Sequence, residues 1–301
     1  MADLKKRRTS LVRDLLGHDP PPQKLVLRGM ADLEKTLAQR FRELNEQRAR
    51  LARANAPLWD NLRRLLGKDS AWAATVRRQR RASRKSLPSR RFSIPKPLQQ
   101  KESVFLGSLG GTRVWPFDYE WTWKAPAGLS EFWIGASADA SDGELLVGLD
   151  TDEEEKSLSA RAAVGIFFQS PSQCLSKFSF WANPLLRFNW RDYCAFASAH
   201  SDGFIGLFAA SYDWAGNFTG TLVDQMISLW SDDSWWWGGE GSGSSSGFPL
   251  SANFQVDPDH WYALWVWCGS HISAEGDQTL SFSSAGSSLV VQVPSISWQV
   301  G

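Results

Sequence analysis

Residues 117–124 set Phe117, Tyr119, Trp121 and Trp123 in strict alternation with Asp118, Glu120, Thr122 and Lys124. Successive side chains of an extended chain point to opposite faces, so the stretch reads as a half-buried antiparallel strand, aromatic on one face and charged on the other. Similar short runs follow at 131–137, 144–150, 162–169, 177–182, 193–199, 204–211, 221–230, 252–256, 260–273, 278–283 and 289–300. About a dozen strands with little helical pattern between them predict a mainly β domain, an antiparallel β-sandwich with jelly-roll-like topology. Asp142-Gly143 and Asp202-Gly203, each preceded by Ser, are expected to turn hairpins.

The densest strand runs from His260 to Cys268. Tyr262, Leu264, Val266 and Cys268 fall on one face and Trp261, Trp265 and Trp267 on the other, so both faces are apolar. A sandwich buries only one face of a strand. The second must be covered by another layer, a long loop, the N-terminal helices, a neighbouring subunit or a ligand, and structural covering is the favoured reading. If it is left open, the three indoles form a platform for a sugar ring or a partner protein. Trp235, Trp236 and Trp237 precede a Gly/Ser tract, residues 238–247, whose composition predicts an irregular exposed loop. The three indoles cannot all share one face, so this loop is a second candidate for partner binding.

Ahead of the β region the pattern is helical. Residues 1–23, closed by Pro20, Pro21 and Pro22, read as a separate arm. Within 24–81, Met30, Leu37, Leu44 and Leu51 recur every seven residues and Leu58 continues the series, a partly coiled-coil-like seam that points to oligomerisation. The companion seam position holds Leu33, Arg40, Gln47 and Ala54 and is largely polar. Packing of the same stripe within its own domain is the alternative. Pro57 is expected to open a second helix that Gly67 ends, and Ser70 to cap a third. Residues 82–100, with Pro88, Pro95 and Pro97, form a linker to a β domain at 101–301.

Charge divides the chain in the same place. Residues 1–100 hold 25 Lys and Arg against 9 Asp and Glu, a net +16, whereas the remainder holds 8 against 23, a net −15. The basic charge concentrates in Arg77, Arg78, Arg80, Arg81, Arg84, Lys85, Arg90 and Arg91. Opposite fields of this size predict electrostatic docking, within the chain, between copies or on an acidic protein, ahead of sequence-independent nucleic-acid binding.

Catalytic signatures are missing. Residues 107–112 resemble a glycine loop without its lysine, no nucleophile elbow occurs, and the acidic runs at 150–155 and 257–259 lack the spacing of a calcium loop. No cofactor and no metal site is expected, His200 with Asp202 is read as part of a turn, and Asn217-Phe218-Thr219 as an unused glycosylation acceptor. Cys174, Cys194 and Cys268 are too few and too widely spaced for a disulfide framework and are read as buried thiols. No stretch is long and apolar enough to cross a bilayer, and no signal peptide is evident. The expected location is the cytoplasm, or an assembly reached without a signal peptide.

The sequence therefore supports a non-enzymatic interaction protein. A basic helical segment docks or oligomerises it, as a homo-oligomer or within a larger protein assembly, and a Trp-rich head recognises a protein or glycan. A carbohydrate-active enzyme built on the sandwich and a nucleic-acid-associated structural protein are the alternatives. A helical stem carrying a β head resembles the plan of phage tail fibres and bacterial particle-borne adhesins, with no motif that identifies such a family.

Overall fold

The computed structural model describes residues 23–66, 68–83, 110–125, 134–151, 156–169, 176–195, 197–234, 238–258, 260–275 and 282–301. These form two helices, α1 (Gln23–Leu66) and α2 (Ser70–Ser83), and fifteen strands. In chain order the strands are β1 (Gly110–Val114), β2 (Tyr119–Ala125), β3 (Ile134–Asp139), β4 (Glu144–Asp150), β5 (Lys156–Gln169), β6 (Ser176–Ala182), β7 (Leu185–Ala195) and β8 (Ser198–Tyr212). There follow β9 (Phe218–Asp224), β10 (Ile227–Ser234), β11 (Gly239–Ser245), β12 (Leu250–Val256), β13 (Trp261–Glu275), β14 (Phe282–Gln292) and β15 (Ser295–Val300). Every strand pairing among them is antiparallel.

Sheet I runs β10-β8-β13-β5-β2, with β9 added beside β8. Opposite it, β11-β7-β14-β4-β3 and β12-β6-β15-β1 form sheet II in two panels. Strands β6 and β7, β11 and β12, and β14 and β15 are chain-continuous across the crease between the panels, interrupted at Pro184, Pro249 and Pro294. Proline has no N–H to give a ladder, so the breaks fall where proline falls. The Phe248 N–H donates to the Pro184 carbonyl at 2.8 Å across the crease. The facing orders β5-β13-β8-β10 and β4-β14-β7-β11 are those of a jelly roll.

Leu145, Val147, Leu149, Phe178, Phe180, Leu289 and Val291 of sheet II meet Val164, Ile166, Leu207, Leu264 and Val266 of sheet I in the inter-sheet core. A second apolar layer lies on the outside of sheet I, where Trp121, Phe167, Phe204, Phe208, Tyr212, Trp265 and Trp267 pack with Leu33 of α1. The molecule thus has three layers: a helix, sheet I and sheet II.

Several expectations change. Tyr119, Trp121 and Trp123 do share a face, but it is the helix-facing one, while Phe117 enters the inter-sheet core. Glu120 is exposed, and its Oε2 accepts the Ala140 N–H at 2.7 Å. Asp142-Gly143 makes the expected turn, with Gly143 at φ 77°. Ser201-Asp202-Gly203 does not turn and lies inside the 15-residue strand β8. Gly203 serves close approach instead, since a Cβ there would stand 1.8 Å from the Trp230 ring. The Gly/Ser tract forms edge strand β11, where Cβ atoms on Gly241 and Gly243 would strike Trp190 at 2.7 Å and Phe188 at 2.4 Å. Glycine leaves the room in which these cross-strand rings lie. In the helical region Pro57 sits within α1 rather than opening a new helix. The α2 cap is Asp69, whose Oδ1 accepts the Ala71 N–H at 2.8 Å, and Ser70 is already helical.

Candidate functional site

The first half of α1 crosses the outer face of sheet I, against β2, β8 and β13. Residues 29, 33, 36 and 40 lie on one side of a helix, and this stripe faces the sheet. Gly29 permits the closest approach, because a Cβ there would lie 2.9 Å from the Tyr212 hydroxyl and 3.4 Å from the Phe167 ring. Leu33 is completely buried among the aromatics. At one end Arg28 Nη1 donates to the Gly216 carbonyl at 2.7 Å, and at the other Arg40 Nη2 donates to the Asp224 carbonyl at 2.9 Å and pairs with its carboxylate at 2.6 Å. Between them the Tyr212 hydroxyl donates to Asp32 Oδ2 at 3.3 Å. Burial raises the carboxyls of Asp32 and Asp224 and the Tyr212 hydroxyl above their ordinary values, and Arg40 opposes this at Asp224. The two positions that looked like a weak coiled-coil seam, Leu33 and Arg40, are the ones that dock the helix on its own head.

Farther along the same face of sheet I is a buried polar row. Ser159, His271 and Asp202 are register neighbours on β5, β13 and β8, and Ser231 faces Asp202 from β10. Ser159 Oγ and His271 Nδ1 are 2.7 Å apart, Ser231 Oγ donates to Asp202 Oδ1 at 2.7 Å, and His200 pairs with Asp233. Arg161, at 0% exposure, lays its guanidinium 4.3 Å from the Trp123 ring centroid. Burial pulls Arg161 down to about 9, and Glu34 of α1 opposes that shift. His200 and Asp202 are therefore buried strand residues and not part of a turn. Reading Asp-Gly as a hairpin signal hid them, and because β8 is buried on both faces no polar–apolar alternation marked the strand through them.

Among the described residues, one aromatic side chain stands far into solvent. Trp214, 79% exposed, occupies the turn between β8 and β9, and Phe218, 43% exposed, begins β9 beside it. The turn is tightly bonded: the Asp213 N–H donates to the Asn217 carbonyl at 2.9 Å, the Gly216 N–H to the Asp213 carbonyl at 2.9 Å, and the Asn217 N–H and side-chain amide to the Asp213 carboxylate at 2.7 and 2.8 Å. Those bonds to Asn217 hold the Asp213 carboxyl below its ordinary value. Arg28 adds a bond to Asn217 Oδ1 at 3.3 Å, which joins the turn to α1. Asn217 thus acts as a turn residue within its Asn-Phe-Thr motif. The sequence marked the turn but not the indole's exposure, which depends on three-dimensional neighbours.

The remaining candidates divide by position. Trp265 and Trp267 have 0% exposure and Trp261 is partly buried, so β13 offers the first two as packing and not as an open platform. Trp235, Trp236 and Trp237 lie outside the described residues, as do Arg84, Lys85, Arg90, Arg91 and the linker from residue 84 onward. On α1, Leu51 is 48% exposed, and Leu58 and Leu65 continue its spacing at 54% and 74%. The side chains of Met30, Leu37, Leu44, Arg80 and Arg81 are outside what the structure describes, while Arg77 and Arg78 are exposed. Among the described residues there is no group of three or more His, Cys, Asp or Glu side chains fit to hold a metal, and no helix long and apolar enough to cross a membrane. Cys194 and Cys268 are buried and not disulfide-bonded.

No protein-family model matches the chain, and no curated protein matches it. Among solved structures, one likeness is to TmCBM61 in complex with beta-1,4-galactotriose, at 10% identity over 62% of this chain and 89% of that one. Its TM-score is 0.15, a value at which the likeness carries no argument about this chain.

Proposed function

We propose that the protein is a non-enzymatic interaction protein: its basic helical segment docks on the head and assembles copies of the chain, and the aromatic-rich head recognises a protein or glycan partner. The observation that carries this reading is the division of labour along α1. Its first half, through Arg28, Leu33 and Arg40, is clamped to sheet I, while Leu51, Leu58 and Leu65 remain exposed at a spacing of seven. Leucines repeated at that interval on a helix already anchored at one end suit helix–helix packing between copies. Exposed Arg77 and Arg78 supply positive charge for an acidic surface. On the head, the rigidly held Trp214 with Phe218 offers an aromatic anchor of the kind that dominates binding energies.

Changing Leu51, Leu58 and Leu65 together to Asp tests the assembly half of the proposal. Light scattering on the full chain is expected to show an oligomer for the wild type and a monomer for the triple variant, with the β circular-dichroism signal retained. A wild-type monomer, or an unchanged mass in the variant, would remove self-association.

A further inference from the structure

At one edge of the sandwich, a carboxyl from each sheet points inward. Asp192 follows Leu186, Phe188 and Trp190 along the inward side of β7, and Asp232 follows Trp230 along the inward side of β10. Asp192 is at 0% exposure, and neither of its oxygens receives a hydrogen bond from an N–H or O–H of the described residues. Asp232 lies beside it: its Oδ2 stands 3.7 Å from where a Cβ would sit on Gly239, the cross-strand partner of Asp192, and accepts the Ser234 hydroxyl at 3.0 Å. A carboxyl buried without a donor and set beside a second carboxyl is far less costly with a proton than without one. We propose that Asp192 and Asp232 form a one-proton site that ties edge strand β10 of sheet I to β7 of sheet II, and that loss of this proton loosens the edge.

The surroundings favour a proton over a metal ion. Calcium takes about six to eight oxygens, whereas no group of three or more acidic, His or Cys side chains fit for a metal occurs among the described residues. The backbone neighbours of Asp192 are Gly239 on β11 and Ala285 on β14, which bring no charge. Cys194 on β7 shares the inward side, and burial together with Asp192 and Asp232 pushes its thiol up to about 12, so it stays neutral. Ser201 on β8 is occupied by the Trp230 indole N–H. On the reverse faces, Asp202 and Asp233 add negative charge, His200 pairs with Asp233, Arg191 is bound to Asp150 at 2.9 Å, and the Tyr193 hydroxyl donates to Glu240 at 3.2 Å. Desolvation first, and the Asp232 carboxylate second, raise Asp192 well above the ordinary carboxylate range.

The sign follows from linkage. A carboxyl whose folded pKa lies above its unfolded value of about 3.9 contributes stability that is complete below that pH and is lost as pH rises through the folded value. Thermal melts of the full chain from acid to mildly alkaline pH test this with Asp192→Asn, whose amide can donate to Asp232 without a titrating proton, and Asp232→Asn as the reciprocal change. At least one variant is expected to match the wild type in acid and to exceed its Tm by about 3 °C or more at alkaline pH. Carbon-13 NMR of the wild-type Asp carboxyls should show one titrating far above the rest, absent from Asp192→Asn and shifted in Asp232→Asn. Equal pH dependence in wild type and both variants, or no such carboxyl signal, would overturn the proposal. So would a rise in wild-type Tm with added calcium that both variants lack, because it would make the pair a cation site.

Discussion

Gly203 and Trp230 behave as one packing unit at the β8–β10 pair. The indole covers the place where a Cβ would stand, stacks on Phe188 with centroids 4.8 Å apart, and sends its N–H to Ser201 Oγ at 2.9 Å. Gly203→Ala therefore cannot be relieved by a small ring movement without disturbing both partners, and it is expected to cost about 1–3 kcal/mol as an overpacked core does. Chemical denaturation measures this, and the penalty should shrink sharply in a Trp230→Ala background, where the obstructing ring is gone. At this scale local sequence rules were least reliable. Asp202-Gly203 and the Gly/Ser tract carry the composition of turns, yet Gly203, Gly241 and Gly243 each make room for a ring from a neighbouring strand. That neighbour lies 27 residues away for Gly203 and about 50 for Gly241, beyond any local window.

Among the elements, α1 does most to join the two halves of the sequence. Leu33 is the only aliphatic side chain of α1 in the outer aromatic cluster among the described residues, and burying it contributes about 1.5–3 kcal/mol. The Arg40–Asp224 pair, with side chains 32% and 22% exposed, adds on the order of 1 kcal/mol after solvent screening. Docking is accordingly sensitive to single changes. Leu33→Asp is expected to free the helix from sheet I, with a red shift of tryptophan emission as Trp265 and Trp267 gain water and faster proteolytic cleavage within α1. Unchanged emission and cleavage would mean that the described contacts do not hold the helix. The sequence did reveal most of the strands, though not β1, β11 or the first part of β7, together with the two apolar faces of β13 and the need for a cover over the second. It did not reveal which helical residues form that cover, because Leu33 and Arg40 find their partners through tertiary contacts with β8, β9 and β13 and not through a repeat in their own helix.

For the whole molecule, three layers place the tryptophans of sheet I beneath a helix and leave Trp214 in water. Recognition by the head is therefore expected to depend on the β8–β9 turn and not on Trp265 or Trp267. On a glycan array, Trp214→Ser should weaken any wild-type signal by tenfold or more, roughly the 2 kcal/mol that truncating an aromatic anchor removes. Signals that survive the change would assign binding elsewhere, and an array without hits from folded wild-type protein would count against a glycan partner. The charge division, +16 before residue 101 and −15 after it, was plain in the sequence. Among the described residues the two halves meet at Arg40, which pairs with Asp224, and at Arg28, which donates to the Gly216 carbonyl.

The close approach of ring to glycine also constrains divergence. Gly203 with Trp230, Gly165 with Trp265, Gly241 with Trp190 and Gly243 with Phe188 each fill one volume from two positions. Neither member can drift alone: a larger residue at the glycine requires a smaller one at the ring, and a smaller ring leaves a void that the glycine cannot fill. Distant copies of this head should therefore change these positions in pairs, so covariation would report the strand order even where overall identity has decayed.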